Sequence, residues 1–132
     1  MGRMKLLGIH HVAIIASDYA RSRRFYTEVL GLEVLAEHYR QPRDSWKLDL
    51  RVDAHTRIEL FSFPSPPARV SRPEACGLRH LALRVADLDA AVAHLEAHGV
   101  AVEPIRVDEF TGRRFTFFAD PDDLPLELYE EA

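Results

Sequence analysis

One cysteine, one tryptophan and six glycines among 132 residues leave this chain few means of stapling or sharply bending itself. A single thiol, Cys76, excludes an internal disulfide and any thiolate metal cluster, so the framework of a small secreted scaffold is missing. Lys and Arg number 17 against 21 Asp and Glu, and they are scattered rather than clustered. The formal charge of −4 carries no basic footprint for nucleic acid or an anionic membrane surface. No apolar run approaches the roughly 20 residues that a membrane span requires. Basic residues precede the first apolar run, but two histidines interrupt it and no small-residue cleavage site follows, so a signal peptide is not expected. The expectation is a soluble cytoplasmic protein, with no nucleic acid and no membrane as partner, long enough for one compact domain.

What the chain has is an internal repeat. Residues 8–18 read GIHHVAIIASD and residues 77–87 read GLRHLALRVAD, matching at Gly8/Gly77, His11/His80, Ala13/Ala82 and Asp18/Asp87. His10 is replaced by Arg79. After one deleted residue the register continues through Gly31/Gly99, Val34/Val102, Glu59/Glu127 and Leu60/Leu128. In each half a strand (9–16, 78–85) leads through an aspartate suited to a helix N-cap into an amphipathic helix (about 19–30, 88–98). Gly31 or Gly99 then stands where a left-handed C-cap belongs. Three strand-like runs follow in each half: LEVLAEHYR, WKLDLRVD and TRIELFSF, then VAVEPIRVDE, RRFTFFAD and LPLELYEE. The predicted fold class is therefore α+β, two tandem βαβββ modules in a single domain over 1–132. Module 1 covers about 6–63, a Pro-rich linker about 62–77 and module 2 about 77–130.

Strand side chains alternate between faces, so parity assigns each residue a side. Val12 and Ile14, like Leu81, Leu83 and Val85, are the large residues a helix would cover, and Ile58, Leu60, Leu126 and Leu128 share that side. His11 and His80 point the other way, beside the small Ala13 and Ala82, and Glu59 and Glu127 join them. Each half thus places one histidine and one glutamate on its uncovered face. A buried carboxylate without partner or metal is costly, so four such residues in repeat register point to a metal site. His10 has the parity of the helix-packed face and reads as structural. Trp46, Phe61, Phe63 and Tyr129 are candidate walls of an apolar pocket. His94 and His98 share a helix face with no carboxylate or cysteine nearby, and His38 and His55 lack repeat counterparts.

At these residues the sequence resembles the vicinal oxygen chelate superfamily, home of glyoxalase I, extradiol dioxygenases, fosfomycin-resistance enzymes and methylmalonyl-CoA epimerase. The resemblance runs from HHVAIIASDYARSRRFYTEVLG through RHLALRVADLDAAVAHLEAHGV to FFADPDDLPLELYE. It implies paired modules forming a metal-holding cup, within one chain or across a homodimer. His, Glu, His and Glu in the ligand slots look most like bacterial-type glyoxalase I, which implies His11, Glu59, His80 and Glu127 as metal ligands. RDSWKLDL, ELFSFPSPP and RPEACGLRHLA look like a compact glyoxalase-like bacterial subgroup.

The resemblance implies one divalent metal ion (Ni, Co, Zn, Mn or Fe) and a lyase or isomerase acting on a small carbonyl substrate. Glu127 would be the proton-abstracting base, with Glu59 as the opposite-face base. Ile15 and Phe63 stand where glyoxalase I has an arginine and an asparagine that help bind glutathione, and neither can bind a carboxylate. Lys47, Arg113 and Arg114 are the cations available elsewhere. Two other readings stay open: an Fe(II)-dependent extradiol-type dioxygenase, against which a fourth ligand Glu59 weighs, and a small-molecule binding protein of the same fold.

Overall fold

A strand whose alternate side chains are large and apolar can bury only one face, and the face left over is where polar groups are affordable. The computed structural model describes residues 2–132 and shows that division twice. The chain separates into two compact units between Pro67 and Ala68.

The first unit contains β1 (His11–Ala16), α1 (Tyr19–Arg24), β2 (Glu33–Arg40), β3 (Ser45–Arg51) and β4 (Arg57–Ser62). Its sheet has the order β1-β4-β3-β2, with β1 parallel to β4 and the other neighbours antiparallel. Asp18 starts α1 as expected, its carboxylate accepting a hydrogen bond from the Arg21 N–H at 3.1 Å. The helix expected over 19–30 is regular only to Arg24, then widens into a π-helical turn over Phe25–Val29. Both Phe25 and Tyr26 are buried there. Gly31, at φ 74°, turns the chain out of the helix in a conformation that side chains with a Cβ rarely adopt. Ile14, Leu48, Leu50, Ile58 and Leu60 fill the core on the helix side.

The second unit repeats the plan with β5 (Leu81–Val85), α2 (Leu88–Ala97), β6 (Arg106–Val107), β7 (Arg114–Ala119) and β8 (Pro125–Glu130). Its sheet order is β5-β8-β7-β6, with β5 parallel to β8. Asp87 caps α2 by accepting from the Ala90 N–H at 3.0 Å. Leu88, Leu95, Phe118, Leu126 and Leu128 form the core. Thr116, fully buried, donates its hydroxyl to the Glu103 carbonyl at 2.6 Å. The run 100–109 forms a strand only at Arg106–Val107. The Glu103 N–H bonds the Phe117 carbonyl at 2.9 Å, but Pro104 has no N–H, and the ladder resumes at Arg106 opposite Phe115 with its register slipped.

From Arg69 onward the Pro-rich segment is pinned within this second unit. Arg69 donates to Ser71 Oγ and to the carbonyls of Leu78 and Arg79, and Ser71 donates to the Asp123 carbonyl at 2.7 Å. Among the described residues no helix is long and apolar enough to cross a membrane.

Leu60 is fully buried between its strand neighbours Ile14 and Leu48. Leu60→Ala is expected to lower unfolding free energy in urea by about 2–5 kcal/mol, whereas Ile15→Ala on the open face costs less than about 1 kcal/mol. On the helix side of β2, Glu37 accepts hydrogen bonds from Arg23 and Tyr19, and these hold its carboxyl below its ordinary 4.5. A depressed carboxyl stabilises the fold above that value and loses its contribution as pH falls through the lower folded one. The stability gap between the protein and Glu37→Gln should therefore shrink between about pH 6 and about pH 3 in urea titrations, and a constant gap would refute the coupling.

Candidate metal centre

In the first unit β1 lies parallel to β4 with Ala13 opposite Glu59. His11, two residues earlier on the same face, therefore reaches the glutamate diagonally past a methyl group, and His11 Nδ1 lies 3.4 Å from Glu59 Oε2. In the second unit Ala82 faces Glu127 across the parallel pair β5–β8. His80, just ahead of β5, places Nε2 at 3.2 Å from Glu127 Oε1. The glutamate side chains keep only 12% and 14% of their exposure. The four residues expected from sequence are thus found as two pairs, one in each unit. Within neither unit do three or more His, Cys, Asp or Glu side chains form a metal-holding group among the described residues.

The residue preceding each histidine matters, and the parity argument misjudged it. His10 lies ahead of β1 rather than in it, and its ring is exposed instead of packed under the helix. Its carbonyl accepts from the Arg57 N–H at 3.0 Å, while its side chain turns onto His11, Nδ1 to Nδ1 at 2.9 Å. Arg79, its repeat counterpart, does the same to His80: Nη1 donates to His80 Nδ1 at 2.9 Å.

Around the two pairs the repeat has diverged. Lys47 and Asp49 occupy β3 on the Glu59 side, with Lys47 Nζ at 2.6 Å from Asp49 Oδ1 and 3.8 Å from Glu59 Oε2. Asp49 stands directly opposite Glu59 in the ladder. The position facing Glu127 is held by Phe117, with Phe115 facing Tyr129 beside it. The Phe117 ring meets His80 edge-on at 5.0 Å. Of the cations noted in the sequence, Lys47 is at the site. Arg114 is held on the helix side by Glu130 and Asp89, and Arg113 pairs with Glu131.

Among the candidate pocket aromatics, Phe61 and Phe63 stack at 5.9 Å on the open side of β4, and Tyr129 stacks with Phe115. Trp46 is not among them. It has the parity of Leu48 and Leu50, and its indole stacks on Tyr19 at the start of α1, with ring centroids 5.7 Å apart. Arg40 and Arg43, which sequence reasoning passed over, place their guanidinium groups over Phe63 at 5.9 and 5.1 Å. Arg43 could not be found from β-strand alternation, because it belongs to the short 3₁₀ turn Gln41–Arg43 that joins β2 to β3.

Residues 8–128 match the family model described as Glyoxalase/Bleomycin resistance protein/Dioxygenase superfamily. The chain is 64% identical to the uncharacterized protein YaeR of Escherichia coli K12, covering 93% of this chain and 95% of that one. It is 34% identical to a 2-epi-5-epi-valiolone epimerase of an Actinomyces species, over 92% of this chain and 78% of that one. The crystal structure of a glyoxalase family protein from Enterococcus faecalis superposes with a TM-score of 0.88 at 50% identity, covering 96% of this chain and all of that one. With the repeated strand-helix-three-strand plan, the matched histidine and glutamate positions and these likenesses together, the chain belongs to the glyoxalase/bleomycin resistance protein/dioxygenase superfamily.

Proposed function

We propose that this protein is a divalent-metal-dependent lyase or isomerase that removes a proton from the carbon next to a carbonyl in a small substrate. The observation that carries the reading is the His–Glu pair repeated in register in each unit, His11 with Glu59 and His80 with Glu127. Two imidazoles and two carboxylates are a donor set suited to Ni, Co, Zn, Mn or Fe(II), and these four side chains would hold the ion. Such an ion, when bound, polarises a carbonyl oxygen and makes the neighbouring C–H more acidic.

The proton acceptor in this reading is a carboxylate oxygen of Glu127. No lysine or arginine forms an ion pair with Glu127 among the described residues, whereas Glu59 shares its carboxylate with Lys47. Phe117 covers Glu127 from the neighbouring strand and limits water beside it. Glu59 is the second base on the opposite side of the substrate, which is what return of a proton with inverted geometry requires. The likeness to an epimerase supports this chemistry, since an epimerase acting on a ketone and a glyoxalase I share proton removal beside a carbonyl. Neither Ile15, half exposed, nor Phe63, stacked on Phe61 beneath Arg40 and Arg43, has a side chain that can itself bind a carboxylate, which weighs against the usual glutathione contacts at those two positions. A cytoplasmic homodimer completes the reading, supported by the family likeness.

The test is metal-stripped protein reloaded separately with Ni, Co, Mn and Zn. Deuterium uptake from solvent would be followed in a panel of small 2-oxo and 2-hydroxycarbonyl compounds and in the methylglyoxal–glutathione hemithioacetal. Metal-dependent exchange is expected, slowed about 10²–10⁴-fold in Glu127→Gln. His11→Ala and His80→Ala are expected to lose bound metal when the ion is counted by elemental analysis. A protein that retains no metal, or exchange indifferent to Glu127, would end the proposal.

A further inference from the structure

The second unit contains a cavity of about 230 Å³ that the catalytic reading does not use. Four arginines line it, Arg69, Arg72, Arg79 and Arg106, against two glutamates, Glu74 and Glu103. Its wall includes Phe117, the same ring that meets His80 edge-on and faces Glu127 in the ladder. Arg79 belongs both to this cavity and to His80, whose Nδ1 it bonds.

The charge of the cavity is not cancelled by its own carboxylates. Arg106 meets Glu103 at 3.2 Å, Arg79 meets Glu74 at 3.7 Å, and Arg72 pairs at 3.2 Å with Asp123, which does not line the cavity. Arg69 donates to neutral oxygens, those of Ser71, Leu78 and Arg79. A guanidinium has five N–H donors, so one contact to a carboxylate leaves most of its capacity unused. Arg106 also lies against the Phe115 and Phe117 rings, at 5.1 and 5.6 Å from their centroids, which restricts its guanidinium group on the cavity wall. A second cavity of about 240 Å³ shares Arg72, Glu103, Phe117 and Pro125, and its other walls are apolar: Ala101, Val102, Phe118 and Ala119.

We infer that the arginine cavity binds the anionic group, a carboxylate or a phosphate monoester, of a small substrate whose hydrocarbon part lies along Phe117. That the anion belongs to a substrate rests on the proposed carbonyl chemistry. The site narrows that chemistry to anionic oxo compounds with a short apolar body. Guanidinium groups bind carboxylate and phosphate alike through paired N–H donors, so the site chemistry is common to both.

Isothermal titration of the whole, metal-free protein with inorganic phosphate and with malonate in low-chloride buffer tests the site independently of turnover. Saturable binding is expected, weakened about tenfold in Arg106→Gln and also in Arg72→Gln, which lies at the surface and leaves the core untouched. Arg84→Gln, on β5 outside the cavity, should bind as the unaltered protein does. Tighter phosphate points to a phosphate monoester and tighter malonate to a carboxylate. No saturable binding of either ion, or equal weakening in Arg84→Gln, overturns the site. Glu127→Gln should keep its anion binding while losing deuterium exchange. If exchange is absent from every variant and the Arg106-dependent binding persists, the carbonyl reading has failed and the anion site stands. If exchange occurs and phosphate does not compete with the substrate, the substrate assignment fails.

Discussion

Everything described here depends on one constraint, that a strand has two sides and a helix can cover only one. Leu48, Leu50, Ile58 and Leu60 are buried to within 1% of full coverage in the first unit, and Leu126 is equally covered in the second. Their burial, at roughly 1.5–3 kcal/mol per large side chain, leaves the intervening residues no choice of side. Glu59 and Glu127 stand on the open faces because their neighbours in sequence cannot. A slip of one residue in either ladder would send the carboxylates into the core and the leucines into water, so the same interactions that stabilise the sheet also aim the chemistry.

That coupling explains which parts of the molecule were legible in the sequence. The placement of His11, Glu59, His80 and Glu127 on the open faces followed from parity, and the caps at Asp18 and Asp87 followed from side-chain chemistry that acts within three residues. Both rules are local, whereas the contact of each histidine with its glutamate comes from the parallel pairing of distant strands. His10 was misread because parity holds only inside a strand, and β1 starts one residue later. The strand expected over 100–109 shrank to Arg106–Val107 because Pro104 interrupts a ladder whose partner, β7, lies further along the chain. Trp46 was named a candidate pocket wall by residue type, although its parity with Leu48 already put it on the helix side, where it stacks on Tyr19. Arg106 drew no notice, and Arg79 only as the counterpart of His10, because a cation's role depends on what else lines the same space, and that information is not periodic.

The duplicated plan has kept its framework and changed its lining. Where the first unit places Lys47 and Asp49 beside its glutamate, the second places Phe115 and Phe117. One carboxylate therefore sits in a salt-bridged setting and the other against aromatic rings, although both are attached to the same backbone geometry. The two halves are therefore not identical around their carboxylates, and the difference between a salt-bridged and an aromatic setting needs only the substitutions found on one strand of each sheet.

The indole of Trp46, the sole tryptophan, stacks on Tyr19 and meets Tyr39 at a tilt on the helix side of the first sheet. Its emission is thus an optical label placed by the fold itself on one unit and on one side of it. Fluorescence will follow the loosening of α1 from β3 within the first unit. The second unit has no tryptophan of its own, so its tyrosine and phenylalanine bands or its nuclear resonances are the reporters that belong to that half of the chain.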